Sequence, residues 1–132
     1  MIFVDTSFWV ALGFGRDQRH AAANRIFRRY GDGRLVTSVP VCGETWTLLR
    51  RRAGHRAAVE FLDALEDSER IDVLSVSEEA ENDAWNWLRR HDERPYSFVD
   101  ATSFGLMRRL KIREALAFDG DLAAAGFDEL RA

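Results

Sequence analysis

The chain has 132 residues and a formal net charge of -3, which suits one domain with its own core and excludes a general polyelectrolyte trap for nucleic acid. A content of 46% hydrophobic and 31% charged residues excludes a disordered chain, and no apolar run is long enough to span a bilayer. The lone Cys42 cannot form an internal disulfide and the amino terminus lacks a secretory signature, so the expected location is the cytoplasm.

Met1 to Val4 is an apolar run without alternation, which reads as a strand buried on both faces in a parallel sheet. It stops on Asp5, Thr6 and Ser7, and a hydroxyl of Thr6 or Ser7 suits the cap of a helix beginning at Phe8. Phe8 to Phe14 reads as a short apolar helix closed by Gly13 and Gly15. Arg16 to Tyr30 follows as a longer one, with Ala22, Ile26 and Tyr30 on one face. Gly31-Asp32-Gly33 forces a turn. Leu35 to Ser38 is a second buried strand, and Ser38 and Pro40 open a helix over Val39 to Ala53. This helix carries Glu44 near its start and turns Val41, Thr45, Leu48 and Leu49 inward.

Arg56 to Leu65 is a further helix with Val59, Leu62 and Leu65 inward, and Ile71 to Leu74 is a third strand. Ser75 or Ser77 caps a helix running to about His91, which buries Ala84, Trp87 and Leu88. Asp92 to Pro95 is a loop. Ser97-Phe98-Val99-Asp100 has capping-box form, so Asp100 stabilises a helix start whatever else it does. Ala115 to Phe118 is a fourth strand with Asp119-Gly120-Asp121 directly after it, then a short helix over Leu122 to Ala125 and an edge strand within Phe127 to Leu130.

Strand-helix alternation implies right-handed crossovers, hence a mostly parallel α/β sheet of four or five strands, spanning 1–132 as a single domain. All strand carboxyl ends then share one edge. Asp5 and Asp119 follow strands at that edge, while Glu44 and Asp100 lie near the starts of helices that leave it. Carboxylates gathered there repel one another unless a cation sits among them. Oxygen ligands without nearby histidine or thiolate suit Mg²⁺ or Mn²⁺, which activate water and offset charge on a phosphodiester. Arginine clusters could position the polymer, and Arg50, Arg51, Arg89 and Arg108 are the candidates for RNA contact.

These pieces resemble a known family. Val4-Asp5-Thr6-Ser7, Glu44 within Val41 to Thr45, Asp100 within Phe98 to Ala101, and Phe118-Asp119-Gly120-Asp121-Leu122 are similar, in order, spacing and total length, to PIN-domain ribonucleases, specifically VapC-type toxins of toxin-antitoxin pairs. The resemblance implies a three-layer fold and Mg²⁺- or Mn²⁺-dependent endonuclease activity on RNA that leaves a 5′-phosphate and a 3′-hydroxyl. It makes Asp5, Glu44, Asp100 and Asp119 the acidic catalytic and metal site. Thr6 or Ser7 would hold Asp5, or a water on the metal, and Asp121 would assist. It also implies a small antitoxin protein as partner and a homodimer.

Other chemistries fit less well. A phosphoacceptor receiver domain needs a lysine after a late strand, and Lys111 precedes the fourth. Ser7 and Ser103 lack the Gly-x-Ser-x-Gly elbow of a nucleophilic serine, and Cys42 has no histidine near it in sequence. The alternative left open is a catalytically inactive binding or scaffold domain that keeps its acids as helix caps.

Overall fold

The computed structural model describes residues 1–132. Five parallel strands, β1 (Ile2–Val4), β2 (Leu35–Ser38), β3 (Ile71–Leu74), β4 (Glu114–Leu116) and β5 (Asp128–Glu129), form one sheet in the order β3-β2-β1-β4-β5. Seven helices complete a three-layer α/β/α fold: α1 (Thr6–Gly13), α2 (His20–Tyr30), α3 (Val39–Arg52), α4 (His55–Asp67), α5 (Glu78–Arg90), α6 (Phe98–Leu110) and α7 (Asp121–Ala124). No helix is long and apolar enough to cross a membrane.

The strand order sets the location of any site. From β1 the chain moves outward to β2 and β3, and it returns on the other side of β1 as β4. This reversal opens a crevice beyond the carboxyl ends of β1 and β4, where ligands of open parallel sheets bind. The register pairs Phe3 with Val36 on one side and with Ala115 on the other, so the apolar residues of β1 lie in the middle of the core. Phe3, Val4, Leu35, Val36, Ala115 and Leu116 are all buried, as expected of strands covered on both faces. Met107, Phe104, Leu49, Phe8 and Ile26 close over them.

Several boundaries differ from the sequence reading, each for a local reason. Helix α1 begins at Thr6 because Asp5 itself is the cap, taking the Ser7 N–H at 3.2 Å. Helix α2 begins at His20, since Asp17 captures the Arg19 N–H at 2.8 Å and holds the preceding residues in a turn. Its buried positions are Ala23 and Ile26, one residue round from Ala22. Strand β4 ends at Leu116, whose carbonyl accepts the Asp5 N–H at 3.0 Å as the last rung before β1 turns into α1.

In α4 the inward face is Ala58, Phe61 and Leu65, because Phe61 packs edge-on against the Trp9 ring and takes the place expected for Leu62, which is exposed. In α5 Ser77 is the cap rather than Ser75. Ala80 and Ala84 are buried there, whereas Trp87 and Leu88 are half-buried. Leu48 of α3 is likewise half-buried, at the rim of a cleft, beside fully inward Val41, Thr45 and Leu49. Cys42 is half-buried against the core. Burial pushes its thiol up to about 11, so it stays protonated and non-nucleophilic at neutral pH.

Candidate active site

Beyond the carboxyl ends of β1 and β4 lies an open cleft of about 320 Å³, lined in part by Thr6, Ser7, Glu44, Phe118 and Asp119. Asp5, directly before the lining residues Thr6 and Ser7 in the chain, is only 3% exposed. A carboxylate this deep needs partners, and Ser7 supplies two: its N–H, and its hydroxyl at 2.8 Å, both to Asp5 Oδ2. The same Ser7 oxygen accepts the Phe118 N–H at 3.0 Å. One serine therefore ties the end of β1 to the segment that delivers Asp119.

Asp100 enters from the start of α6 through the capping box read in the sequence. Ser97 Oγ accepts the Asp100 N–H at 3.0 Å and Asp100 Oδ2 accepts the Ser97 N–H at 2.9 Å. Oδ1 is left without a hydrogen bond from the protein, so capping and a place in the site are compatible roles for one carboxylate. Asp119 and Asp121 belong to the tight turn between β4 and α7. Gly120 sits there at φ 82°, and Asp119 Oδ1 accepts the Asp121 N–H at 3.2 Å.

Ligand atoms of Asp100, Asp119 and Asp121 all lie within 4.8 Å of one another. Asp5 and Glu44 border this group. Asp119 and Asp100 are close enough for their charges to act on Asp5, and Glu44 close enough for its charge to act on Asp100. Of the acids expected from sequence, Asp100 and Asp119 fall in this trio, joined by Asp121, expected as a helper, while Asp5 and Glu44 lie outside it.

Burial and like charge act together on these carboxyls. Burial first, then Asp119, pushes the Asp5 carboxyl up from an ordinary 3.8 to about 7 against the opposing bonds from Ser7. Burial, with Asp121 and Asp100 adding to it, pushes Asp119 up to about 6. Asp100 is raised by burial, then by Asp121 and Glu44. The cation bonded within the group is Arg94, whose Nε donates to Asp121 Oδ1 at 2.9 Å and whose Nη2 donates to the Asp119 carbonyl at 3.2 Å.

The Thr6 hydroxyl, buried at the cleft wall, has no protein partner. An all-oxygen donor set, excess negative charge and an orphan hydroxyl fit a hard divalent cation.

Sequence reading missed Arg94. An arginine in a charged loop carries no periodic signal, and its partner lies 27 residues away. The four arginines expected to contact RNA lie outside this cleft. Arg50 and Arg51 are exposed in the last turn of α3 without lining it, and Arg89 is bonded to Asn86. Arg108 stands over the Trp87 and Phe127 rings beside the groove between α5 and α6. The cleft arginines are Arg19 and Arg52.

A family model for the PIN domain matches residues 2–128. The chain is 56% identical to the 23S rRNA-specific endonuclease VapC20 of Mycobacterium tuberculosis over 131 residues, 99% of this chain and 98% of that protein, in both strain CDC 1551 / Oshkosh and strain ATCC 25618 / H37Rv. The crystal structure of Mycobacterium tuberculosis VapC20, described as a Sarcin-Ricin loop cleaving toxin, superposes with a TM-score of 0.94 at 54% identity over the whole of both chains. With a matching family model over nearly its full length and relatives at this identity, the chain belongs to the PIN-domain family.

Proposed function

We propose that this protein is a divalent-metal-dependent endoribonuclease, the toxin of a toxin-antitoxin pair, and that its substrate is the sarcin-ricin loop of 23S ribosomal RNA, the target for which the VapC20 relative is named. The observation that carries the reading is the convergence of Asp5, Asp100 and Asp119 on one crevice with their carboxyls held above the ordinary range. Acids kept only as helix caps need no such convergence.

Nucleases of this family generally use a divalent metal. Here Asp5, Glu44, Asp100 and Asp119 would hold Mg²⁺ or Mn²⁺, with Asp121 assisting. When bound, the ion supplies Lewis acidity, generating a nucleophile from water near neutral pH and offsetting charge on the phosphodiester.

The chain's own residues do the rest. Ser7 fixes the Asp5 carboxylate and, through Phe118, the approach of Asp119. Arg94 pairs with Asp121 and offsets part of its charge. The Thr6 hydroxyl offers a further donor or acceptor at the wall. Cleavage with retention of phosphate on the 5′ side of the downstream fragment, a small antitoxin that silences the enzyme, a homodimer and action in the cytoplasm belong to the same reading.

The test is incubation of purified protein with ribosomal RNA and Mg²⁺ or Mn²⁺, followed by mapping of new ends. A single new end within the sarcin-ricin loop is expected, carrying a 5′-phosphate and absent with chelator or with Asp100→Asn. Equal cleavage by wild type and Asp5→Asn would rule the mechanism out.

A further inference from the structure

The cleft holds two arginines whose hydrogen-bonding capacity is unspent. Glu44, Leu48 and Arg52 recur every fourth residue along one face of α3 and all line the cleft. At 1.5 Å of rise per residue, Arg52 stands roughly 12 Å along the helix from Glu44. Arg19 comes from the turn before α2, where its N–H is fixed by Asp17. Its guanidinium carbon lies 5.2 Å from the centroid of Phe118, the residue next to Asp119 in the chain. Phe118 is itself braced by stacking on Phe8, with ring centroids 5.6 Å apart.

Neither Arg19 nor Arg52 is in an ion pair, although Glu44, Asp17 and Asp119 line the same cleft. Arg131, which faces the same Phe118 ring at 5.1 Å, makes the contrast. Its fork is occupied by the carbonyls of Ala117 and Leu130 and by Glu129. Arg131 is structural, whereas Arg19 and Arg52 present free, planar donor forks to the space in front of the acids. Forks of this kind match phosphate oxygens in two parallel bonds.

We propose that Arg19 and Arg52 form a phosphate-binding pair that grips the RNA backbone beside the scissile bond. The inference rests on the ribonuclease reading and adds the residues that hold its substrate. Arg52 reaches a phosphate displaced along α3 from the acids, and Arg19 one beside Phe118 and Asp119. Phosphate contacts fix register and orientation without reading bases, so the pair positions the polymer and leaves the choice of loop to other groups.

The test measures binding of a fluorescein-labelled sarcin-ricin stem-loop RNA to protein carrying Asp5→Asn, across a salt series in Mg²⁺. Adding Arg19→Ala or Arg52→Ala is expected to weaken binding about tenfold and to lower the log-log salt slope by about one. Lysine at either position should keep the slope while recovering only part of the affinity, since it supplies charge without the fork.

Arg70→Ala is the control. It removes one charge at the opposite edge of the sheet, where Arg70 pairs with Asp32, and should leave affinity and slope near those of the parent. In the otherwise wild-type enzyme, Arg52→Ala should raise KM with little change in kcat, as loss of uniform substrate binding does. Parent-like affinity and slope in both alanine variants overturns the assignment while leaving the nuclease reading intact. A parent that binds no RNA at low salt overturns both.

Discussion

Ser7 shows how much of the site depends on one small side chain. Its hydroxyl donates to Asp5 and accepts from Phe118, so the carboxylate at the end of β1 and the loop that carries Asp119 are held by the same atom. Ser7→Ala removes the donor from a carboxylate that is already raised and leaves the Phe118 N–H unpaired. A stability loss of about 1–2 kcal/mol is expected in denaturant melts. Loss of an outer-shell partner of this kind should also weaken divalent-ion affinity about 10- to 100-fold.

From sequence, Ser7 was recognisable as a residue able to hold Asp5. Its bond to Phe118 was not, because it joins positions 111 residues apart and no local pattern reports that. Arg94, Arg19 and Arg52 were missed for a related reason. An arginine's role is set by where its long side chain ends, and only Arg52 left a trace, in its spacing from Glu44.

The helices and strands divide between what local chemistry decides and what packing decides. The capping box at Ser97 and Asp100 and the Ser38 cap with Pro40 were legible because caps are local, and the structure contains both. The buried face of α4 was not. Val59, Leu62 and Leu65 satisfy helical spacing as well as Ala58, Phe61 and Leu65 do, and the choice is made by the Trp9 ring, 5.7 Å from Phe61.

Trp9 is held there in turn by its indole N–H, which donates to Thr37 Oγ1 at 3.3 Å. Phe61→Ala should therefore cost about 3–4 kcal/mol, as for a buried aromatic, and Leu62→Ala less than about 1 kcal/mol. Urea melts of the two variants check the difference; equal losses would contradict this packing.

Across the molecule, the site sets a conflict between stability and charge. Asp5 and Asp119 bind their protons in the folded state up to about 7 and about 6, well above the 3.8 of a free aspartate. Carboxyls raised in this way contribute stability that is complete below about pH 4 and is lost as pH rises through 6 and 7. For buried Asp5 the full swing is on the order of 4 kcal/mol, at about 1.4 kcal/mol per pKa unit.

The metal-free protein should accordingly lose this contribution between about pH 4 and 7 in calorimetric melts. Asp5→Asn should flatten the dependence, and a divalent cation should restore stability most at the alkaline end. A wild type and Asp5→Asn with parallel pH profiles would contradict it. The strand order that creates this crevice was predictable in outline, since strand-helix alternation implies a parallel sheet with one shared edge. The point of reversal between β1 and β4 emerges only from the pairing itself.

The account depends on these acids acting together as a cation site, and calorimetric titration of the metal-free protein with Mn²⁺ at pH 7.5 tests that without recourse to RNA. Saturable binding with release of protons is expected, lost in Asp5→Asn and in Asp119→Asn while both variants remain folded. Absence of saturable binding, or binding that survives both substitutions unchanged, would contradict it.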